Sequence, residues 1–500
     1  MAFVGEFIFA NSSITNILAH FRKNVLFYFE NILKSVFLCG IIYLKNVSEG
    51  IMLFRKIESY IQNFLKSESN KILVIDGARQ IGKSYIIRKV GKELFENYIE
   101  LNFVEDNQSG QNFKNVNSVE DFYFTLSTIH GDKMKEKENT LIFLDEIQVY
   151  PQFITLLKFL KQDDKYTYIA SGSLLGVTLS NTSSIPIGSM ELKRMYQLDF
   201  EEFLIANGFS LDAISTLEKK FIAKETLEDS LHRKMLDLFK KYLIVGGLPD
   251  CVNEYLKTRN VMNIRKIQED VIRFYGEDAS KYDVQKKLKI KRIYDMLPST
   301  MQNAKKRIVA KNIEGITGKR YSNYADEFDY LISSGIALDV KAISNPVFPL
   351  RQSEDKNLLK LYMNDVGLLS GILYHNNVKP ILDHVPSVNL GALYETAVAG
   401  QLKALGHNLF YYDNRKNGEV DFLIDNYNTL SVLPIEVKSG RDYTIHSALS
   451  RFTSNEDYHA QEGIVLSNEQ TIKTDGKITY LPIYFVIFLK PQEADEDILL

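Results

Sequence analysis

A glycine-rich segment, Gly77-Ala-Arg-Gln-Ile-Gly-Lys-Ser84, contains the residue types that bind phosphate groups. Its glycines let the backbone turn N–H groups inward, Lys83 supplies a cation, and the Ser84 hydroxyl is a ligand for Mg²⁺. An apolar, β-branched run precedes the segment and a helical stretch follows it. This setting predicts a P-loop rather than a plain glycine turn. Its predicted phosphate-binding residues are Gly77, Ala78, Arg79, Gln80, Ile81, Gly82, Lys83, Ser84 and Tyr85.

Two adjacent carboxylates, Asp145 and Glu146, end a second apolar run that begins at Thr140. A buried strand would bring them to the sheet edge where ligands bind in α/β proteins. We expect Asp145 to hold Mg²⁺ together with Ser84, and Glu146 to polarise the attacking water. The guanine-reading Thr/Asn-Lys-x-Asp pattern is not evident. The two motifs, Walker A and Walker B, therefore predict an ATP hydrolase that uses Mg²⁺.

A third predicted strand, 166–170, ends in Ser171-Gly-Ser173. The Ser171 hydroxyl would contact the γ-phosphate or the attacking water there, although a simple turn remains an alternative. Three such strand ends indicate the additional-strand class of P-loop ATPases, AAA+. The predicted fold class is α/β, with an AAA+-like parallel sheet.

The segment 169–176 and the later segment 184–204 resemble those of the predicted AAA+-type ATPases of bacteria and archaea. Those proteins carry an appended C-terminal domain of unknown function, and the resemblance covers residue 52 onward. It implies that Ser171 is the sensor and that Arg194 is the basic residue acting in trans, with Lys193 as the alternative. Because AAA+ relatives form rings, a homo-oligomer is one expectation, and a monomer is the other.

The segment 242–250, which contains Gly246-Gly-Leu-Pro249, resembles the Gly-x-Pro motif of signal-transduction ATPases with numerous domains. The resemblance implies that Pro249 packs against the adenine of ATP. A helix stop followed by a helix that starts with proline explains the same residues.

Residues 284–320 contain eleven Lys and Arg against two carboxylates. Helices are predicted over 286–297, 304–312 and 321–334, and strands over 336–343 and 347–350. These are the parts of a winged helix-turn-helix, a module that the family resemblance also implies. The basic excess predicts contacts with DNA phosphates. The alternative is an internal packing unit with a solvated lysine face.

Carboxylates and a lysine recur on neighbouring predicted strands near the C-terminus. Asp421 lies on one strand, Glu436 and Lys438 alternate on the next, and Glu395 lies on an earlier helix. This arrangement resembles the PD-(D/E)xK nuclease fold. The resemblance implies a second Mg²⁺ or Mn²⁺ held by the carboxylates, with Lys438 stabilising charge at the phosphate. An inactive or regulatory domain of the same fold is the alternative.

Bulk composition limits the other possibilities. The formal net charge of −3 provides no global attraction to nucleic acid or to anionic membranes, and two cysteines form no disulfide framework. The apolar stretch 35–44 is too short to span a bilayer, so we expect a cytoplasmic protein with no membrane partner. We interpret Met52 as the natural start, with residues 1–51 as an extension outside the native protein.

The predicted domains are the extension at 1–51, an AAA+-like ATP-binding domain at 52–205 and a helical Gly-x-Pro region at 206–280. A winged helix-turn-helix at 281–356 and a PD-(D/E)xK-like domain at 357–500 follow. The sequence predicts an ATP-dependent switch or motor coupled to a nuclease-like, DNA-associated domain. A signalling ATPase whose inactive C-terminal domain binds a partner is the alternative.

Overall fold

A computed structural model describes residues 52–67, 69–104, 110–173, 175, 188–278, 287–303, 305–383, 385, 388–440 and 442–491. The predicted extension, 1–51, lies outside the described residues, as does much of the segment 174–187 that contributes to the family resemblance. Phe54–Leu500 forms one compact unit. Among the described helices, none combines the length and apolar composition that a membrane span requires.

The first sheet consists, in the described part of the chain, of five parallel strands. They are β1 (Ile72–Asp76), β2 (Asn97–Asn102), β3 (Thr140–Asp145), β4 (Thr167–Gly172) and β5 (Met190–Arg194), in the spatial order β2-β3-β4-β1-β5. Every residue of β1 and of β3 is buried, as expected for strands covered on both faces. The strand β4 lies between β1 and β3, which is the additional-strand order that the sequence predicts.

Within the described residues, five helices accompany this sheet: α1 (Lys56–Lys66), α2 (Lys83–Leu94), α3 (Gly110–Phe113), α4 (Val119–His130) and α5 (Gln152–Asp163). The register aligns the carboxyl ends of the strands, because Asn102 pairs with Asp145 and Asp76 pairs with both Gly172 and Arg194. Polar residues from all five strands therefore meet at one edge of the sheet.

A helical region follows, made of α6 (Phe200–Ala206), α7 (Leu211–Ile222), α8 (Asp229–Val245), α9 (Pro249–Thr258) and α10 (Val261–Asp278). Asp199 and Glu202 form a capping box at the start of α6. Pro249 begins α9, where its missing N–H has no intrahelical partner to lose.

The middle region contains α11 (Lys287–Gln302), α12 (Lys311–Glu314) and α13 (Ala325–Ser333), with a 3₁₀ turn over Tyr321–Tyr324. The predicted helix over 304–312 is wrong, because Arg307 forms a β-bridge with Lys360 and only α12 follows. The predicted strand over 347–350 is also wrong, because that segment is irregular and ends in the 3₁₀ turn Leu350–Ser353. The winged-helix interpretation stays a prediction.

The second sheet has eight strands within the described residues: β6 (Ala337–Ile343), β7 (Glu354–Met363), β8 (Phe410–Asn414), β9 (Gly418–Asn426), β10 (Ser431–Val437), β11 (Gly463–Ser467), β12 (Lys473–Asp475) and β13 (Ile478–Pro482). Their order is β12-β13-β11-β10-β9-β8-β6-β7. In the described part of this region, four helices accompany it: α14 (Val366–Tyr374), α15 (Lys379–Leu382), α16 (Gly391–Ala404) and α17 (Ser447–Ser454). The predicted boundary at 356/357 falls inside β7, so the middle region and the C-terminal region share one sheet.

The aromatic core under the first sheet provides a test of this packing. Phe153 in α5 is fully buried, with its ring centroid 4.8 Å from that of Phe103, whereas Phe159 in the same helix is 46% exposed. We expect Phe153→Ala to lower the free energy of unfolding by about 3–5 kcal/mol. Phe159→Ala, the matched control, should cost under about 1 kcal/mol in urea unfolding. Equal losses for the two variants would contradict the described core.

Candidate nucleotide site and carboxylate cluster

The P-loop, residues 77–84, turns from β1 into α2 through backbone angles that glycine favours. Gly77 and Gly82 have φ values of 146° and 92°. A Cβ on Gly77 would lie 2.3 Å from the carbonyl oxygen of Met195, so the turn has no room for a side chain there. Gly82 is the N-cap residue of α2, whose first N–H groups lack intrahelical partners. The bend is therefore a suitable anion-binding site.

The remaining predicted phosphate-binding residues differ in their burial. Ala78 and Ile81 are buried, Arg79 is half-buried, and Gln80 is exposed. Tyr85 is 50% exposed on the first turn of α2. The P-loop thus has a packed inner side and a solvent-facing outer side.

Lys83 lies inside the P-loop with only 6% of its surface exposed. Its Nζ donates hydrogen bonds to the carbonyl oxygens of Gly77 (2.9 Å) and Ala78 (2.8 Å). Among the residues that the structure describes, no carboxylate forms an ion pair with it. Burial lowers the pKa of Lys83, although the carboxylates of Glu146 and Asp76 oppose this shift. A buried ammonium group without a paired carboxylate favours an anionic ligand.

Asp145 ends β3, and its carboxylate accepts hydrogen bonds from three other elements. Ser84 Oγ lies 2.8 Å and Asn102 Nδ2 lies 3.0 Å from Oδ2, and Ser171 Oγ donates to Oδ1. Burial raises the pKa of Asp145, and the bonds from Ser171 and Ser84 oppose this shift. Hydroxyl and carboxylate oxygens are the donors that Mg²⁺ takes beside phosphate, so Ser84 and Asp145 fit the predicted ion. The sequence did not identify Asn102, although it ends a strand at the same edge.

Glu146 follows Asp145 in the left-handed region, with φ of 55°. Its Oε2 accepts hydrogen bonds from Gln148 Nε2 and from Ser173 Oγ, the latter at 3.1 Å. A non-glycine residue in this conformation costs about 1–3 kcal/mol and is frequent at functional sites. The backbone thus turns the Glu146 side chain toward the end of β4.

Arg194, the predicted trans-acting residue, is paired within its own chain. Its guanidinium contacts Asp76 Oδ2 at 2.7 Å and donates to the carbonyl oxygens of Ile332 (3.3 Å) and Ser333 (2.7 Å). Lys193, the alternative, lies with its Nζ 4.4 Å from the ring centroid of Tyr60. Arg194 lies beside the P-loop because it is paired with Asp76, the residue before Gly77. A role in trans, for Arg194 or for Lys193, stays a prediction.

Pro249 lies against the P-loop, since a Cβ on Gly82 would be 3.7 Å from Pro249 Cγ. The turn before Pro249 is held by Asp365, whose Oδ2 accepts from the Gly247 N–H at 2.7 Å. Arg55, which the sequence did not reveal, donates to the Ile81 carbonyl oxygen at 2.9 Å. The adenine role of Pro249 stays a prediction, and its position beside the P-loop is compatible with it.

The four residues predicted near the C-terminus form one cluster, called the carboxylate cluster: Glu395, Asp421, Glu436 and Lys438. Lys438 Nζ lies 2.8 Å from Glu436 Oε1, and Asp421 Oδ2 accepts from the Val437 N–H at 2.8 Å. Burial and the nearby Asp421 raise the pKa of Glu395. The same causes raise the pKa of Glu436 to about 8.

Two lysines that the sequence did not identify form ion pairs in or next to the carboxylate cluster. Lys306, from the segment before α12, forms an ion pair with Glu395. Lys360 in β7 is fully buried and pairs with Glu419. Burial alone would lower the pKa of Lys306. The carboxylates of Glu395 and Asp421 outweigh the effect of burial, so the pKa of Lys306 is raised. These contacts join residues 59 to 89 positions apart, which no local pattern indicates.

The carboxylate cluster, as described, holds ammonium groups rather than a set of metal ligands. Across the residues with described positions, no three His, Cys, Asp or Glu side chains are arranged to hold a metal ion. Glu395 is committed to Lys306 and to the Tyr362 hydroxyl, which lies 3.1 Å from its Oε2. Glu436 Oε2 is buried and has no hydrogen-bond partner among the described residues. The predicted second Mg²⁺ or Mn²⁺ does not fit this arrangement.

Part of the basic run of the middle region is paired inside the chain. Lys305 lies 3.1 Å and Arg307 lies 3.8 Å from Asp413 Oδ2, beside the Lys306–Glu395 pair. Arg292 and Lys291 also contact carboxylates. These pairs reduce the positive charge that the sequence predicts for DNA contacts.

Sequence profiles match three parts of the chain. The AAA domain matches residues 69–204, and two domains of unknown function, DUF8612 and DUF4143, match 236–378 and 390–486. No curated protein sequence is significantly similar to the chain. Residues 69–204 therefore belong to an AAA-type P-loop ATPase domain.

Solved structures of P-loop ATPases resemble the chain at low sequence identity. The Walker-type ATPase PABY2304 of Pyrococcus abyssi is 12% identical, with 64% of this chain and 95% of that chain covered and a TM-score of 0.37. The RuvB Holliday junction branch migration motor of Thermotoga maritima is 11% identical, with 57% and 89% covered and a TM-score of 0.26. AMPPCP-bound DnaA from Aquifex aeolicus is 12% identical, with 56% and 88% covered and a TM-score of 0.25. At these TM-scores the similarities carry no functional argument.

Glu436 predicts a pH dependence of stability. Its pKa rises from 4.5 to about 8 on folding, so the native state holds a proton that the unfolded state releases. The free energy of unfolding should therefore fall as the pH rises from about 4.5 to about 8. Glu436→Gln should flatten this part of the profile in urea unfolding, and Glu462→Gln, at an exposed carboxylate, should leave it unchanged. Parallel profiles for wild type and Glu436→Gln would contradict the buried, protonated carboxyl.

Proposed function

We propose that the protein is an ATP hydrolase that works as a nucleotide-dependent switch on its C-terminal region. The observation that carries this proposal is the buried Lys83 ammonium, which contacts only carbonyl oxygens of the P-loop among the described residues. A magnesium-bound triphosphate supplies the anion that this group and the N–H groups of α2 favour.

The contacts at the carboxyl ends of the strands of the first sheet suggest a role for each residue of the nucleotide site. Ser84 and Asp145 would hold Mg²⁺, which would neutralise the charge of the phosphates when it is bound. Glu146 orients the attacking water and accepts its proton. Ser171, held by Asp145, is the sensor of the terminal phosphate, and Pro249 contacts the adenine.

The switch is supported by contacts between the P-loop and distant segments. The Tyr275 hydroxyl donates to the Arg79 carbonyl oxygen at 2.8 Å, and a Cβ on Gly335 would lie 3.0 Å from the Ala78 nitrogen. Arg194 connects Asp76, the residue before the P-loop, to the end of α13. Movement of the P-loop on binding phosphate is thereby coupled to α10 and to the middle region.

Nucleotide binding and turnover separate the roles of two residues. We expect Lys83→Ala to abolish binding of a fluorescent ATP analogue, because the cation is lost. Glu146→Gln should bind that analogue with wild-type affinity and lower phosphate release by at least about a hundredfold. Lys92→Ala, at a lysine elsewhere on α2, is the control for binding. Wild-type turnover by Glu146→Gln would contradict its role as the water-activating carboxylate.

The C-terminal region supports two candidate functions of different class. The convergence of Glu395, Asp421, Glu436 and Lys438 favours a nuclease-like domain that acts on DNA. The pairing of Glu395 with Lys306 favours the other candidate, a domain that binds a partner without cutting. The described geometry supports the second candidate better, because the Glu395 carboxylate is already paired with the Lys306 ammonium group. For the whole chain we propose the cytoplasm, where the buried free thiol of Cys251 stays reduced.

Removal of Lys306 tests whether an ammonium group excludes metal from the cluster. We expect Lys306→Ala to bind Mn²⁺ about tenfold more tightly than wild type in nucleotide-free protein, because Glu395 loses its cation. Electron paramagnetic resonance of free Mn²⁺ measures the difference. Lys305→Ala, at the more exposed neighbour that pairs with Asp413, should bind like wild type.

Equal Mn²⁺ affinity in wild type, Lys306→Ala and Lys305→Ala would contradict the idea that the Lys306 ammonium group excludes metal from the cluster. Plasmid nicking in the presence of Mn²⁺ and ATP distinguishes the two candidate functions. Nicking by wild type that Asp421→Ala and Lys438→Ala both abolish would establish a nuclease. We expect no nicking by wild type.

A further inference from the structure

The hydroxyl group of Ser173 lies between a P-loop arginine and the predicted water-activating carboxylate. Arg79 Nε is 3.0 Å from Ser173 Oγ, and Ser173 Oγ is 3.1 Å from Glu146 Oε2. Gln148 Nε2 lies 3.4 Å from the same hydroxyl oxygen. Ser173 is only 1% exposed, so these contacts are made away from bulk water.

The chemistry of these four groups determines where the hydroxyl proton points. A serine hydroxyl has one proton and two lone pairs, a guanidinium only donates, and an ionised carboxylate only accepts. The lone pairs of Ser173 are taken by N–H groups of Arg79 and Gln148. Its single proton is therefore directed to Glu146. Without Arg79, the hydroxyl has less to hold it in this rotamer.

Arg79 is itself held by the helix α10, outside the first sheet. The Tyr275 hydroxyl donates to the Arg79 carbonyl oxygen at 2.8 Å, and the guanidinium carbon lies 5.6 Å from the ring centroid of Phe274. Tyr275 is 1% exposed, so its position is fixed by packing. The backbone and the side chain of Arg79 thus contact adjacent residues of α10.

We propose that Arg79 is a positioning residue for Glu146, that it acts through the Ser173 hydroxyl, and that α10 sets its position. This proposal rests on the proposed ATP hydrolysis and adds a way in which the helical region controls the rate of that reaction. The chain of contacts from Tyr275 through Arg79 and Ser173 connects the helical region to the group that activates water. A change in the packing of α10 then alters the rate of hydrolysis.

The kinetic test uses the full chain and compares Arg79→Ala with Arg273→Ala, an exposed arginine on α10. We expect Arg79→Ala to lower kcat about tenfold, the size of effect that loss of one charge-assisted hydrogen bond produces. Its KM for ATP should stay within about twofold of wild type, because Lys83 and the N–H groups are unchanged. Arg273→Ala should match wild type in both constants. A wild-type kcat in Arg79→Ala would overturn the proposal.

Rescue by a conservative variant separates positioning from a general loss of folding. We expect Ser173→Ala, like Arg79→Ala, to lower kcat at an unchanged KM for ATP, because the phosphate-binding groups are intact. Ser173→Thr keeps the hydroxyl and should restore the wild-type kcat. A wild-type kcat in Ser173→Ala, in protein that binds ATP normally, would contradict a role through Ser173.

The contact with α10 has its own test. Tyr275→Phe removes the hydroxyl that bonds the Arg79 carbonyl oxygen, keeps the ring, and should lower kcat about threefold at unchanged KM. Tyr427→Phe, at a 60% exposed tyrosine, is the control. The failure of the proposed function is distinguishable: absence of ATP turnover by the wild type would overturn the proposed hydrolysis, whereas wild-type kinetics in Arg79→Ala would overturn only the positioning role.

Discussion

The buried ammonium group of Lys83 is the interaction on which the remainder of the nucleotide site depends. A cation in the interior is costly unless an anion balances it, and here its hydrogen-bond partners among the described residues are two carbonyl oxygens. The backbone around it is held in this form by Gly77, which has no room for a side chain, and by Arg55, which binds the Ile81 carbonyl oxygen. The protein therefore maintains a positively charged bend that an anionic ligand completes.

The carboxylate cluster differs from the nucleotide site because part of its buried charge is already paired within the chain. Glu395 and Glu436 are buried too, but Lys306, from the middle region, forms an ion pair with Glu395 and balances part of their charge. A buried ion pair of this kind contributes little net stability, whereas loss of one partner leaves the other uncompensated. The P-loop around Lys83 is thus suited to an anion from solution, whereas the carboxylate cluster is occupied by the ammonium group of Lys306. This contrast supports a nucleotide-dependent switch more directly than a permanently active nuclease.

The parts of the molecule that the sequence predicts well are those encoded by neighbouring residues. The P-loop needs only eight consecutive residues, and Asp145 and Glu146 follow directly from a buried apolar strand. Likewise, the alternation of Glu436 and Lys438 places both at one end of β10. Three strands of the first sheet, β1, β3 and β4, were predictable for the same reason, because apolar runs give them. The polar and charged residues of β2 and β5 left those two strands unpredicted.

What the sequence does not predict depends on contacts between distant segments. Lys306 lies in a run of basic residues that indicates DNA binding, and only the fold brings it to Glu395. The expected partner strand of β6, over 347–350, fails because β6 pairs instead with β7, which begins at Glu354. Ser173 was recognised as part of a strand end, yet its contact with Arg79 required the folded P-loop.

Calorimetric titration of the full chain with ATP in the presence of Mg²⁺ tests the central claim most directly. We expect saturable binding of one nucleotide per chain, because the buried Lys83 ammonium group and the first N–H groups of α2 form one phosphate-binding site. Absence of any binding heat over a range of temperatures, in protein that is folded by circular dichroism, would contradict it.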